Sequence, residues 1–531
     1  MRTTRWLALA VITVLASSVV AACGSEDEVA TRQERELVYA LPFADVVTLD
    51  PAKTVHGSDY PIIINIYSSL LRPDLRNPSV VLPDLARHYI TSDDGTEITF
   101  FLRPGVSWHK GNGEVTADDV AYTYQRLKDP DSGSIWVDQY EAITNIEVID
   151  PYTIRFGFDE PLYGQEKGNI NLFVGGRAGE YIVSRTAVEA VGSANYGSEP
   201  IGSGPFVFES YTPKQNLLLS ANNEHFFGAP WLEKITYVMM EEEATRNIAL
   251  EAGEVDIAGP LSETEAIDKF RKLDGFEVAR SKSSAWLYGI AVNTKLPPLD
   301  DLRVRQALQY AVDTASIVNA VYGGPPAADS LHGPAPSPFP PSAEGWDPGI
   351  DWPGVYARDV DKAKDLLAQA GFPDGIEISL ATHGYVQHDV IMTAVQAQMA
   401  EAGIDTSVEV VDVATWREHM TAKDSPLIPI AGNYAMLWAL YMSPDGPDSA
   451  PQYEGTNELF ERAWKEGDPV ERGRVYQMIQ EQLLADVPYI PLFTSYPLAA
   501  TKDYVKGYVP SALFEDYLYW VHFDPWPIEE G

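Results

Sequence analysis

From residue 37 onward the chain alternates short apolar strands with amphipathic helices. That alternation confines it to α/β lobes with mostly covered sheets. Leu37-Val38-Tyr39-Ala40-Leu41 is an apolar run of strand length, and Glu97 to Leu102 is another, closed by the turn signal Arg103-Pro104-Gly105. Thr116-Ala117-Asp118-Asp119 opens a helix: Thr116 is a good N-cap, Asp119 can answer it, and Val120, Tyr124 and Leu127 share one apolar face. A second helix starts at Asp301, with Val304, Ala307, Leu308, Ala311 and Val312 at helical spacing. A third starts at Asp359, with Val360, Ala363, Leu367 and Ala370 on one face and Gly371 as its stop. Ile376 to Leu380 reads as a strand, Val390 to Ala402 as a helix ended by Gly403, and Ser407 to Val411 as a strand. Gly323 to Gly354, which includes Pro334, Pro336, Pro338, Pro340 and Pro341, is too long for an ordinary connection. Because the same alternation continues on both sides, it reads as a surface loop wrapping one lobe rather than a boundary.

The 531 residues exceed what one core can hold and imply two or three domains. Apolar residues make up 45% of the chain, enough to bury large cores. The 38 basic and 77 acidic residues leave a formal charge of −39, spread along the chain. Nucleic acid is therefore excluded as a partner, since phosphate binding needs basic surface. The only cysteine is Cys23, so no intramolecular disulfide can form and burial alone must hold the fold. Arg2 and Arg5 precede an uncharged run from Trp6 to Val20, then small residues lead to Cys23. A charged start, a short apolar stretch and a small-residue site make an export signal; the run is short for a bilayer span. Val20-Ala21-Ala22-Cys23-Gly24 resembles the lipobox of bacterial lipoproteins, which implies a diacylglyceryl anchor on Cys23 and an extracytoplasmic, membrane-tethered protein. Simple secretion and an uncleaved anchor are the alternatives. Residues 24–35 are polar and charged and read as a flexible tether.

Several blocks recur in an order that resembles the family 5 extracellular solute-binding proteins, the oligopeptide, dipeptide and nickel receptors of bacterial ABC importers. They are Leu82-Pro83-Asp84-Leu85-Ala86, Phe100 to His109, Thr116 to Val120, Gly202-Ser203-Gly204-Pro205-Phe206, Ala244-Thr245-Arg246 with Gly253 to Ile257, Asp301 to Leu308 continuing to Asp313, and Asp486 to Leu492. The resemblance implies a two-lobed, Venus-flytrap (type II) periplasmic-binding-protein fold with an extra inserted domain. It divides the chain into a signal peptide (1–22), a tether (23–35), a first lobe (36–60, 198–292 and 497–531), the insertion (61–197) and a second lobe (293–496). Solute entering the cleft would favour the hinge-closed form that an importer's permease subunits recognise. The protein would work as a monomer without a cofactor. Arg103, Gly105, Asp118, Asp119, Arg303 and Arg305 are expected to fix turns, caps and packing. Gly202 and Gly204 are expected to need positive φ or close backbone approach.

Peptide receptors of this family often carry Trp-x-x-Asp, whose Asp pairs with the ligand's ammonium. Here Trp438 remains and Tyr441 stands at the Asp position. The loop that carries an Arg in dipeptide receptors reads Ala381 to His388 and has none. With both anchors of a zwitterion absent, a free dipeptide is a poor candidate, because buried charge without a partner is costly. Trp438, Tyr441, His383, Tyr385, Trp286 and Tyr496 are the expected lining residues, with core packing as the alternative for each aromatic. They suit a longer peptide held by its backbone, an oligosaccharide stacked on rings, or another weakly charged solute. Trp286 and Tyr288 precede Ile290 to Asn293, which resembles a family strand crossing between lobes; Tyr496 lies near the return crossing. No metal site is expected: His383 and His388 are five apart with no supporting pair, though a nickel chelate could use one His. A hydrolase using Glu241-Glu242-Glu243 or Asp118-Asp119 is the rival class, but no His-Glu-x-x-His or Gly-x-Ser-x-Gly motif accompanies them. A sensory receptor of the same fold remains a further alternative.

Overall fold

The computed structural model describes residues 35–54, 58–74, 77–161, 170–175, 178–281, 286–322, 332–335, 337, 339, 345–383, 388–432, 452–511 and 517–523. Three sheets dominate them. The first has seven strands, in the order Phe276–Arg280, Leu498–Lys502, Ile257–Ala258, Glu36–Leu41, Lys234–Met239, Asn216–Ala221 and Phe206–Thr212. The second has six: His332–Pro334, Tyr489–Ser495, Trp286–Val292, Leu427–Gly432, Ile376–Thr382 and Ile404–Val410. A third, antiparallel sheet of four strands (Ala86–Thr91, Glu97–Leu102, Thr153–Phe158, Ile143–Asp150) lies in sequence between strands of the first.

Alternating burial explains why both large sheets are covered on two faces. Along Trp286–Val292, Tyr288, Ile290 and Val292 enter one core with the helices Leu302–Ala311, Val360–Gln369 and His388–Glu401. Leu287 and Ala291 enter another with Trp352, Phe460 and Tyr476. In the first sheet, Leu37, Tyr39 and Leu41 face one core and Ala40 faces the other. Such period-2 burial is what a strand sandwiched between layers requires.

The capped helices form where their signals stand. Asp119 accepts the backbone N–H of Thr116 at 3.0 Å, and Asp301 and Asp359 accept backbone N–H groups of their own first turns. The strand after Gly375 runs two residues further than expected, to Thr382, and the next begins at Ile404 rather than Ser407, because parallel pairing with each other sets their ends. Of the proline-rich stretch, His332–Pro334 forms an edge strand, and Phe339 and Trp352 are buried in the second core.

The first passage between the large sheets differs from the expected boundary at residues 292 and 293. Trp286–Val292 lies inside the second sheet, flanked by Tyr489–Ser495 and Leu427–Gly432. The chain therefore leaves the first sheet at Arg280 and enters the second at Trp286. It leaves the second at Ser495 and re-enters the first at Leu498. The continuous apolar run Ile290-Ala291-Val292 is interior because both faces of its sheet are covered.

The inserted region is fastened to the first lobe by buried polar contacts. Arg126 holds Asp50 through two hydrogen bonds of 2.8 and 2.5 Å, with both side chains almost fully buried. The Gly202-Ser203-Gly204 loop lies against the end of helix Tyr60–Ile66. Neither glycine has a positive φ. A Cβ on Gly202 would collide with the Ile66 carbonyl oxygen, and one on Gly204 would lie 2.7 Å from the Tyr67 carbonyl oxygen. Close approach is thus the reason for both. Gly204 donates its N–H to Ile66 O at 2.9 Å, while its own carbonyl bonds His109 Nε2 and Asn222 Nδ2, each at 2.9 Å.

Candidate ligand-binding site

Strand register locates one edge on each large sheet that borders the passages. In the second sheet Trp286 pairs with Ser495, Leu287 with Gly432 and His332 with Ser495. Strands Ile376–Thr382 and Ile404–Val410 run parallel to Leu427–Gly432 and end toward the same edge. In the first sheet Arg280 pairs with Leu498, and strands ending at Leu41, Met239 and Ala258 all run toward that edge. Ligands of open α/β sheets bind outside the carboxyl ends of the strands. Here both sheets turn those ends toward the passages, which makes this region the candidate site.

Local contacts hold the rim in place. The Arg246 guanidinium donates to the carbonyls of Met240 and Glu241 at 2.9 and 2.6 Å, and to that of Pro260 at 3.2 Å. It thereby ties the segment after Lys234–Met239 to the one after Ile257–Ala258. Glu243 accepts the backbone N–H groups of Ser262 and Glu263, and Glu242 stands at the N-cap position of the helix Glu243–Ala252 without a side-chain capping bond. Asp119 caps its helix and also accepts the Arg185 N–H. Glu243 and Asp119 thus each hold a loop or a cap. Arg103 donates to the Asp84 carbonyl, and Arg305 to those of Asp486 and Leu299.

Three of the expected lining residues border this edge. His383 follows Ile376–Thr382, Tyr496 follows Tyr489–Ser495, and Trp286 begins its strand. Tyr385, Trp438 and Tyr441 lie outside the described residues, as does Cys23. His383 is only 5% exposed, and its ring meets that of Trp416 edge-on at 4.8 Å between centroids. Burial holds the His383 imidazole below its usual range, with Asp389 pulling partly the other way. It is therefore a neutral ring near pH 7, able to donate and accept. The Tyr496 ring carries the Arg280 guanidinium 3.8 Å from its centroid.

Two polar side chains at this edge escape a sequence reading. The Thr382 hydroxyl and the Trp416 indole N–H are buried without a hydrogen-bond partner among the described residues. Trp416 reads as an apolar member of the helix Val413–Ala422, and no local pattern marks its nitrogen. Buried donors are usually paired. Other buried groups such as Trp346 Nε1, Trp352 Nε1 and Ser203 Oγ also lack partners among the described residues, and these two are set apart by lying beside this strand end. Among the described residues no group of three or more His, Cys, Asp or Glu could hold a metal ion, and no helix is long and apolar enough to cross a membrane.

Comparison with known proteins agrees with this architecture. Heme-binding protein A of Haemophilus influenzae is 26% identical, with 96% of this chain and 98% of that protein covered. The structure of HbpA2 from Haemophilus parasuis matches with a TM-score of 0.81 at 23% identity, covering 92% of this chain and 99% of that one. The ABC transporter-associated periplasmic binding protein DppA from Helicobacter pylori, in complex with the peptide STSA, matches with a TM-score of 0.71 at 25% identity. That match covers 93% of this chain and 99% of that one. The family model for the middle region of bacterial extracellular solute-binding proteins, family 5, matches residues 80–449. With two covered α/β sheets joined by paired passages and a match over most of its length, the chain belongs to the family 5 bacterial extracellular solute-binding proteins.

Proposed function

We propose that this protein is a lipid-anchored receptor that captures an oligopeptide between its two lobes and hands it to the permease of an ABC importer. One observation carries the reading: the carboxyl ends of the strands in both large sheets border the two passages. Expected ligand residues follow or begin those strands. A solute held there touches both lobes, so binding energy favours a closed form. The lobe boundaries belong to the same proposal, with the first passage at residues 281–285. The relative in complex with the peptide STSA supports a peptide as the cargo. The carboxylates of Glu243 and Asp119 hold a loop and a cap, which supports binding without catalysis. The lipid on Cys23 and residues 24–35 would keep the receptor beside its importer, and a diacyl anchor is strong enough to hold it.

Native mass spectrometry of protein purified gently from its own cells tests the cargo. A bound mass matching peptides of three or more residues is expected. A dipeptide as the main species refutes the argument from the missing anchors, and a sugar or tetrapyrrole refutes the peptide. Cys23→Ala is expected to release the protein into the medium or leave it unprocessed. Normal processing with unchanged membrane retention refutes the lipid anchor.

A further inference from the structure

We infer that the outer edge of the first sheet, where the chain enters from Cys23, is a surface that rests on anionic lipid headgroups. The inference rests on the lipid-anchor reading above and adds which side of the receptor the bilayer meets.

Strand direction locates that edge. Strands Glu36–Leu41, Lys234–Met239 and Phe276–Arg280 all run toward the passages, so their first residues line the opposite edge. Lys502 ends the antiparallel strand Leu498–Lys502, pairs with Phe276 and lies there too. Arg35 fastens the entering chain to this edge. Its carbonyl accepts the N–H groups of Glu233 and Lys234 at 2.7 and 3.2 Å. Its Nε donates to the Trp231 carbonyl at 2.6 Å, and its guanidinium pairs with Glu233 at 2.8 Å. Only residues 24–34 lie between Arg35 and Cys23, a length that spans at most about 40 Å. A lipid on Cys23 therefore keeps this edge close to the bilayer. The strand Glu36–Leu41 sets the rim of the site about 20 Å further out, clear of the headgroups.

Charge picks out the same edge. Over the whole chain acids outnumber bases, 77 to 38, so an anionic surface repels most of the molecule. At the outer edge the bases gather. Lys234 and Lys502 come from the sheet, and Lys506 from the short strand Val505–Lys506. Lys269, Arg271 and Lys272 come from the last turn of helix Thr264–Lys272. That helix leads into Phe276–Arg280 through Gly275, whose carbonyl accepts the Asp503 N–H at 3.1 Å. Acids stand among them: Glu36 pairs with Lys234, Glu277 with Lys506, Glu251 with Lys269 and Asp268 with Lys272. With the exposed Glu254, Asp274 and Asp503, bases and acids here come close to balance. Surface pairs of this kind are worth little, so each cation can turn to a lipid phosphate. Leu273 is 38% exposed between Lys272 and Asp274, and can enter the headgroup layer beside the lysine stem.

The test uses the full lipidated protein on vesicles of phosphatidylcholine, pure or mixed about two to one with anionic phosphatidylglycerol. A donor dye is placed at Ala252→Cys, exposed at the outer end of helix Glu243–Ala252, or at Ala368→Cys, exposed on the second-lobe helix Val360–Gln369. Acceptor dyes sit in the headgroups, and flotation is read on the same samples. The ratio of energy transfer, edge label over second-lobe label, should rise about twofold or more with the anionic lipid. It should return to the pure-lipid value in high salt, which screens the attraction, and in Lys269→Gln/Lys272→Gln/Lys506→Gln. Protein that floats with the vesicles yet keeps one ratio in both lipids overturns the surface and leaves the lipid anchor. A ratio that the triple variant leaves as high as the wild type assigns the attraction to another face and overturns this one. Wild type that stays behind in the soluble fraction overturns the anchor, and the surface falls with it.

Discussion

The junction between the inserted region and the first lobe differs sharply from the rim of the second sheet. At the junction, a buried ion pair and the loop backbone are engaged, although Ser203 Oγ, His109 Nδ1 and Arg126 Nε have no partner among the described residues. Arg126 holds Asp50, and Gly204 is bonded through both its N–H and its carbonyl. At the rim, Thr382 and Trp416 bury donors with no partner among the described residues. A charge pair fixed on folding should be satisfied within the chain, as Arg126 and Asp50 are. A contact remade with each ligand must leave something unsatisfied until the ligand arrives. The contrast separates a fixed joint from a receiving surface, and it can be broken at either end.

The largest effect should come from the joint. Arg126→Met leaves the Asp50 carboxylate, whose side chain is 1% exposed, with only the Ala52 N–H at 3.2 Å and Lys53 Nζ at 3.8 Å. It should cost about 3 kcal/mol in urea denaturation, the low end of the penalty for breaking a buried pair, because those two partners remain. Adding Asp50→Asn should recover part of that loss. A cost below about 1 kcal/mol would mean that water reaches the pair and that the joint is no tighter than an ordinary surface contact.

Gly202→Ala comes next. Its Cβ would meet a backbone carbonyl, which cannot swing away as a side chain can. Overpacking of this sort costs about 1–3 kcal/mol or more. A variant as stable as the wild type would show that helix Tyr60–Ile66 can slide against the loop.

Acid probes the same junction. Burial pushes His109 and His225 down to about 4, with the Gly204 carbonyl opposing in the first case and nearby His109 adding to the second. Burial raises Asp84 to about 6 against the pull of the Ser69 N–H, Arg72 and Arg103. Between about pH 6 and pH 4 the unfolded chain protonates both histidines, while the folded chain protonates only Asp84. The depressed histidines therefore lose stability as the pH falls through this window, and the raised Asp84 offsets one of them. The net loss should be about 1.4 kcal/mol per pH unit from these groups. Asp84→Asn removes the offset and should roughly double the slope. A slope that Asp84→Asn leaves unchanged would place Asp84 outside the titration.

Helix positions were legible because their causes are local. Thr116 with Asp119, Asp301 and Asp359 each announce a start within a few residues, and the apolar faces follow at fixed spacing. The order of strands was not legible, since pairs such as Phe276–Arg280 with Leu498–Lys502 join segments far apart in the chain. The Gly-Ser-Gly loop stood out as special, yet only the approach of Ile66 says why. At the site, His383, Tyr496 and Trp286 were named from their neighbours and the family pattern. Arg280, Thr382 and Trp416 were not, because what distinguishes them is a ring, or a missing partner, supplied by distant sequence.

The smallest effect on stability should fall on the rim, and that smallness is informative. Trp416→Phe deletes an N–H that has no partner, so it should change folding stability by less than about 1 kcal/mol. If the rim is the receiving surface, the cost appears only with ligand: bound tetrapeptide should fall about tenfold or more. Thr382→Val should behave alike, since it also trades an unmade hydroxyl for apolar surface of similar shape. Equal peptide binding by both variants, together with unchanged stability, would show that these donors answer to no ligand. The contrast with the junction would then be one of packing alone.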